Sequence, residues 1–238
     1  MLRSLKHKKY RDINGRYIIE GEKTIKEALD FGAPVEKILA SRESGLLSRA
    51  QAAGVETLAV KYDIIKQIAD TKTPPQEIAC VIKRDIPIDA QGRFFVALDG
   101  LADPKNVGGI IRTADAMGAA GVFTSAGSAD FYGPKAQRAA MGSAFHIGVA
   151  PCDLKSKLVA LKNDGVALVV GCLGGGGFSQ GYGRVCLIIG NEARGVSEEI
   201  RSLCDELVEI EISGRAESLS AGVAAGIMMY EIRNRLKG

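Results

Sequence analysis

The sequence predicts an α/β protein in which a parallel sheet covered by helices follows a smaller α/β/α unit. Apolar runs of strand length alternate with segments of helical spacing along the whole chain. The strands of residues 94–238 are apolar on both faces, which is typical of parallel strands buried between two layers of helices. The segment Arg84–Gly92 interrupts this alternation with a proline and a glycine. We therefore expect one domain over residues 1–85, a linker over 86–93, and a second domain over 94–238.

In the first domain, the spacing of Ile25, Ala28 and Leu29 predicts a helix that Gly32 ends. The predicted strands are Arg16–Glu20, Val35–Ala40, Thr57–Val60 and Ile78–Lys83. The predicted helices are Gly21–Phe31, Ser44–Ala53 and Asp63–Ala69, after a polar, helix-compatible lead-in at Arg3–Lys9.

In the second domain, the predicted strands are Phe94–Leu98, Gly121–Thr124, Val166–Gly171, Val185–Ile189 and Leu207–Ile212. The predicted helices are Gly108–Met117, Pro134–Met141, Leu154–Asn163, Ser197–Leu203 and Ser218–Leu236. The glycine run Gly174–Gly177 lacks the spacing and the following Lys-Ser/Thr pair of a phosphate-binding loop, so we expect a flexible loop there, at the edge of a ligand site.

Composition narrows the functional classes. The chain has no apolar run of membrane-spanning length, and no apolar segment follows its basic start, so we expect a cytoplasmic protein that contacts no membrane. The five cysteines form no CxxC pair, so we expect reduced thiols and no metal site. Six of the 31 Lys and Arg residues lie within the first sixteen positions. Such a segment either contacts a polyanion or is a frayed, solubilising terminus, and composition does not choose between them.

Three polar turns follow buried strands, and each carries side chains suited to ligand binding. Asn106 and Arg112 follow the first strand of the second domain, and Glu192 follows the strand that ends at Gly190. Ser218 stands before the last helix, where free backbone N–H groups bind electronegative atoms. Because ligands of open parallel sheets bind at the carboxyl ends of strands, we expect the three turns to form one site.

Together the three segments resemble the three motifs of the SpoU/TrmH family of RNA ribose methyltransferases, within the SPOUT superfamily. The matching residues of the three motifs are Asp99, Gly100, Asp103, Pro104, Asn106, Gly108 and Arg112 to Ala114, then Gly190, Asn191, Glu192 and Gly195, then Gly214, Glu217, Ser218 and Leu219. The segment RYIIEGEKTIKEAL resembles the opening of that family's accessory RNA-binding domain, which is related to ribosomal protein L30e.

The resemblance implies a carboxyl-terminal trefoil knot, a homodimer with its active site at the interface, and transfer of a methyl group from S-adenosylmethionine to a ribose 2′-hydroxyl in structured RNA. It favours ribosomal RNA over transfer RNA. It also implies cofactor contacts at Gly171, Gly190, Ile210 and Leu219. The Gly- and Ala-rich last helix suits a close two-fold contact between copies.

The resemblance further implies roles for the four polar residues. Arg112 lies near the hydroxyl and the adjacent phosphate. Since a guanidinium stays protonated near neutrality, we expect it to bind phosphate and stabilise the developing alkoxide rather than act as a base. Asn106 orients the nucleotide, Glu192 holds Arg112 or the nucleotide, and Ser218 binds phosphate or ribose.

One position departs from the family pattern, because Ser220 stands where the third motif usually has Asn. This departure leaves open the alternative that the chain is a non-catalytic RNA-binding module with the methyltransferase fold. A doubly wound enzyme acting on a small nucleotide is a further alternative, which leaves the three ordered motifs unexplained.

Overall fold

The protein, described here by a computed structural model over residues 1–179 and 181–236, contains two sheets. The first sheet has the order β1-β4-β2-β3, in which β4 runs antiparallel to both neighbours and β2 pairs parallel with β3. Its strands are β1 (Arg16–Glu20), β2 (Val35–Ala40), β3 (Glu56–Ala59) and β4 (Glu77–Ile82). The helices of this region are α1 (Lys8–Asn14), α2 (Glu22–Asp30), α3 (Gly45–Ala52) and α4 (Tyr62–Ile68). The predicted strands and helices of residues 16–83 are confirmed to within a residue or two at each end.

The second sheet has six strands in the order β10-β8-β9-β5-β6-β7, and every pairing in it is parallel. The strands are β5 (Phe94–Asp99), β6 (Gly121–Thr124), β7 (Gly148–Pro151), β8 (Ala167–Gly176), β9 (Val185–Gly190) and β10 (Glu206–Val208). The helices are α5 (Pro104–Ala116), α6 (Pro134–Ala140), α7 (Leu154–Asn163), α8 (Glu198–Arg201) and α9 (Ala221–Arg235). The predicted parallel sheet is confirmed.

Alternate side chains of the central strand β5 enter two different cores. Phe94, Val96 and Leu98 pack against α5 and α9, whereas Phe95 and Ala97 pack against α7. This is the two-sided burial that the apolar runs predict.

Three strand predictions need correction. The four residues of β7, GVAP, include a glycine and a proline, so they form no apolar run and went unpredicted. The predicted strand Leu207–Ile212 is too long, because β10 ends at Val208. The flexible loop predicted at Gly174–Gly177 is wrong in its first three residues, because β8 continues to Gly176, which pairs with Val208. A Cβ at Gly175 would lie 2.7 Å from the backbone of Val208, so glycine permits this close pairing.

Two helix starts also differ from prediction. Helix α5 begins at Pro104 rather than Gly108, because the Asp103 side chain accepts a hydrogen bond from the backbone N–H of Lys105 and caps the helix. Asn106 therefore lies in the first helical turn. Helix α9 begins at Ala221, capped by Ser220 and not by Ser218. Serine, present at position 220, and asparagine, usual there in the family, are both favoured helix-capping residues.

The amino-terminal segment is folded onto both sheets, so the frayed-terminus alternative is wrong. Leu2–Lys6 forms a 3₁₀ helix whose Leu5 is fully buried. Arg11 is 5% exposed and forms an ion pair at 2.7 Å with Asp130, which lies between β6 and α6. Arg11 also donates hydrogen bonds to the carbonyls of Leu5 and Lys6. The segment is thus a structural contact between the first sheet and the loop before α6, and contact of its exposed basic side chains with RNA stays a prediction.

Candidate active site

A cavity of about 670 Å³ opens where β8, β9 and the segment before α9 meet. Seven of the eight predicted site residues line it: Asn106, Gly171, Gly190, Glu192, Ile210, Ser218 and Leu219. The eighth, Arg112, does not. The three turns therefore converge on one cavity whose volume lies within the range of small-molecule sites.

Glu192 joins the first turn to the second. Its carboxylate accepts hydrogen bonds from the backbone N–H groups of Ala102 and Asp103, both at 3.2 Å, and from Nδ2 of Asn106 at 3.0 Å. Burial acts to raise the pKa of Glu192, but these hydrogen bonds to the ionised form outweigh it and leave the pKa below its usual value. Glu192 thus holds the start of α5, and within this chain it contacts Asn106 rather than Arg112.

The turn after β9 is closed by its own backbone and by Asn191. Nδ2 of Asn191 donates to the carbonyl of Gly100 at 2.8 Å, while Oδ1 accepts from the N–H groups of Ala193 and Arg194. A Cβ at Gly190 would lie 2.2 Å from the carbonyl carbon of Gly195. The tight turn therefore requires glycine at position 190. The lack of a side chain there also leaves the backbone open to the cavity.

Helices α5 and α9 meet at Asn106. A Cβ at Gly222 would lie 3.2 Å from Oδ1 of Asn106, and one at Gly226 would lie 3.9 Å from Cγ2 of Thr113. Gly222 and Gly226 thus face α5 of the same chain, and the contact between copies expected of this small-residue stripe stays a prediction. Ser218 is exposed beside these helix starts.

Arg112 lies outside the cavity on the exposed side of α5. It follows Asn106 by six residues, or about 9 Å along the helix axis. Within residues 1–179 and 181–236, its side chain makes no hydrogen bond or ion pair with a described partner.

Sequence reasoning missed two arginines of the cavity. Arg194 and Arg201 line it, are exposed, and form no ion pair with any residue that the structure describes. Arg194 lies between two residues of the second motif and could have been found there, whereas Arg201 lies on α8 and nothing in the sequence marks it. Together they place positive charge at the mouth of the cavity.

Residues 1–179 and 181–236 contain no group of three or more His, Cys, Asp or Glu side chains that could hold a metal ion. None of the described helices is long and apolar enough to cross a bilayer.

Two family models match the chain. The SpoU rRNA Methylase family matches residues 93–230, and the MRM3-like substrate binding domain matches residues 1–79.

Relatives of similar length carry the same resemblance. The chain is 34% identical over 234 residues to the 23S rRNA (guanosine(2553)-2'-O)-methyltransferase RlmP of Bacillus subtilis, covering 97% of this chain and 94% of that protein. It is 32% identical to the 23S rRNA (uridine(2479)-2'-O)-methyltransferase of Streptomyces viridochromogenes, covering 94% and 85%.

Solved structures of methyltransferases also resemble this chain. The SpoU methyltransferase AviRb of Streptomyces viridochromogenes, in complex with AdoMet, superposes with a TM-score of 0.87 at 29% identity and covers 98% of this chain and 95% of its own. An AdoMet-bound rRNA methyltransferase of Sinorhizobium meliloti superposes with a TM-score of 0.86 at 30% identity, covering 100% and 94%.

Proposed function

The chain belongs to the SpoU rRNA methylase family and is an S-adenosylmethionine-dependent RNA 2′-O-methyltransferase, and from this premise we propose that its substrate is the RNA of the large ribosomal subunit. Two relatives that match nearly the whole chain are named for methylation of 23S rRNA. These two names carry the choice of RNA, while the convergence of the three turns on one cavity, with Glu192 bonded to Asn106, supports the methyltransferase site itself.

The cavity fits the cofactor chemically. Its walls combine backbone at Gly171, Gly190 and Leu219 with the apolar side chains of Ile189 and Met228. These surfaces suit the adenosine part of S-adenosylmethionine, and the charged side chains at the rim suit its amino-acid part. When bound, the cofactor supplies an electrophilic methyl group.

The chain's own residues then position the ribose. Asn106, fixed by Glu192, orients the nucleotide, and Ser218 binds its ribose or phosphate. Arg112 binds the phosphate beside the reacting hydroxyl and stabilises the negative charge that develops there. Arg194 and Arg201 bind further phosphates of the RNA strand at the cavity mouth.

The working enzyme is a homodimer whose contact includes α9. Val223, Ile227 and Tyr230 recur on one face of this helix and are 52%, 39% and 52% exposed. Their spacing forms a continuous apolar stripe, which is a typical subunit contact. Arg112, exposed on the neighbouring helix α5, then serves the cavity of the second copy rather than that of its own chain.

Three further features complete the proposal. Residues 1–85 form an RNA-binding domain, which the match to a substrate-binding family supports. The segment between β10 and α9 is threaded as a trefoil knot. This threading is supported by the return of the segment to the cavity, beside the turns after β8 and β9. The enzyme acts in the cytoplasm, where the bacterial relatives' ribosomal RNA is found.

A competition assay tests the substrate. Unmodified 23S rRNA, 16S rRNA and transfer RNA are offered together with labelled S-adenosylmethionine, and methylated linkages are mapped by their resistance to alkaline cleavage. We expect label on a ribose of 23S rRNA. Label confined to transfer RNA or 16S rRNA would contradict the proposal, and RNA binding without any transfer would favour the non-catalytic alternative.

A further inference from the structure

The basic segment at the start of the chain divides into a paired half and a free half. It has six Lys and Arg residues within the first sixteen positions. Three of them pair with carboxylates, namely Lys8, Arg11 and Arg16. Three form no ion pair or side-chain hydrogen bond within residues 1–179 and 181–236, namely Arg3, Lys6 and Lys9. The fold therefore neutralises one half of this charge and leaves the other half available to a ligand.

Helix geometry places Lys9 beside two exposed side chains of low polarity. Tyr10 is 41% exposed and Ile13 is 67% exposed. With about 3.6 residues per turn, these three residues occupy the side of α1 opposite the buried Arg11. The exposed ring of His7, just before the helix, meets the ring of Tyr10 edge-on with centroids 6.4 Å apart. The name amino-terminal face denotes the set Arg3, Lys6, His7, Lys9, Tyr10 and Ile13.

Helix α1 is tied to the edge of the second sheet that carries the candidate active site. Because β5 and β6 are parallel, the turns that follow them share one edge. Arg11 pairs with Asp130 in the segment after β6. In the same segment, the N–H of Ala129 donates to the carbonyl of Leu101 at 2.8 Å, and Leu101 lies in the first turn, which Glu192 holds. One loop thus connects α1 to the candidate active site.

The side chains of the amino-terminal face suit single-stranded RNA. Free ammonium and guanidinium groups bind phosphates, and exposed aromatic rings stack on bases. In a duplex the bases stack on one another, so an aromatic ring on a protein surface finds no free base to cover. Charge alone would suit any polyanion, but aromatic rings beside unpaired cations favour a strand with unstacked bases.

We propose that the amino-terminal face binds a single-stranded segment of the RNA substrate, with a base stacked on Tyr10 and phosphates bound by the free cations. The Arg11–Asp130 pair fixes this face relative to the first turn, so RNA bound there has a set position at the edge of the active site. This inference rests on the proposed RNA substrate and adds a contact surface outside the cavity.

Fluorescence anisotropy of the full chain with a labelled oligouridylate of about 20 nucleotides tests the stacking contact. We expect Tyr10→Ala to weaken binding at least about fivefold at every salt concentration, because the stacked base loses its partner, and Tyr10→Phe to bind like the wild type. With an RNA duplex of the same length, Tyr10→Ala should bind like the wild type. Wild-type affinity of Tyr10→Ala for the oligouridylate, or an equal loss with the duplex, would overturn the proposal.

The same assay at several salt concentrations tests the phosphate contacts. Lys9→Ala should reduce the slope of log affinity against log salt concentration by about 0.7, the value for one phosphate of a single strand. Lys8→Ala is the matched control, because it removes the same charge from the neighbouring residue, which already pairs with Asp12. The slope for Lys8→Ala should change less. Equal slopes for the two variants would contradict a phosphate contact at Lys9.

Kinetics on unmodified 23S rRNA test what this face does in methyl transfer. Because the face lies outside the cavity, Tyr10→Ala should raise the KM for RNA and leave kcat and the KM for S-adenosylmethionine unchanged. A fall in kcat alone would contradict a binding role. An altered oligomeric state of Tyr10→Ala in gel filtration would identify the face as a contact between copies and overturn the proposal. Absence of transfer to 23S rRNA would contradict the proposed substrate, whereas the oligouridylate assay still decides whether this face binds RNA.

Discussion

At the scale of single residues, Glu192 determines the geometry of the first turn. Its three hydrogen bonds reach two backbone amides and the side chain of Asn106, so one carboxylate orders both the loop and the helix start. Because these bonds require the ionised form and lower the pKa of Glu192, their stabilisation is complete above the usual pKa of a glutamate. It is lost as pH falls through the lower pKa of the folded state.

The substitution Glu192→Gln tests this role. The glutamine amide keeps the shape, but its NH₂ group would face one of the three donors, so we expect kcat to fall about tenfold to a hundredfold. In the variant, the free energy of unfolding should also lack the decrease at acidic pH that protonation of Glu192 causes in the wild type. Glu198→Gln, which changes an exposed carboxylate on α8 outside the cavity, is the matched control. Equal activity of the two variants would show that Glu192 does not position the site.

At the scale of secondary structure, α5 carries Asn106 and Arg112, which we propose act in methyl transfer, and it packs closely on α6. A Cβ at Gly108 would lie 2.2 Å from the carbonyl oxygen of Ala136 and 2.8 Å from Cβ of Ala139. The next residue, Gly109, has nothing within 4 Å of the corresponding position. Two adjacent glycines of one helix therefore have different roles, although the sequence alone does not distinguish them.

This pair gives a matched prediction. Gly108→Ala should lower the free energy of unfolding by about 1–3 kcal/mol, because the backbone of α6 must move away. Gly109→Ala should leave it unchanged or raise it by up to about 1 kcal/mol, because alanine favours the helix. Denaturant unfolding of both variants measures the difference. Equal stabilities would mean that α5 does not need its close approach to α6.

The elements that the sequence predicts are those whose residues alternate or recur regularly. The apolar strands β5, β6 and β9 were predicted nearly to the residue, because local pattern and burial agree there. The short strand β7 and the glycine end of β8 were missed, because pairing with a neighbouring strand decides their structure. The start of α9 was misplaced because Ser218 and Ser220 are equally good caps by type.

At the scale of the whole molecule, the two sheets share a core and buried charges. Phe145, which follows α6, packs among Tyr17, Ile19 and Ile25 of the β1–α2 region. The Arg11–Asp130 pair is almost fully buried between them. The sequence motifs predict the common cavity, but they do not predict these contacts. The sequence of a basic amino-terminal segment does not distinguish arginines that face solvent from an arginine that pairs with a buried aspartate.

The position of Arg112 is likewise a property of the whole molecule. The sequence places it near Asn106, and helix geometry directs it away from the cavity of its own chain. In the dimer that we propose, a second copy, in contact through the apolar stripe of α9, completes each active site.

Mixed dimers test this central claim most directly. Arg112→Ala and Leu219→Asp, a change that places a charge in the cavity wall, are each expected to abolish methyl transfer to 23S rRNA. Co-expressed in equal amounts, they should recover about one quarter of the wild-type rate, since half of randomly paired dimers are mixed and each mixed dimer has one intact site. A mixture as inactive as the separate variants, beside an active wild type, would contradict the supply of Arg112 by the partner copy, and a wild type that transfers no methyl group would contradict the whole account.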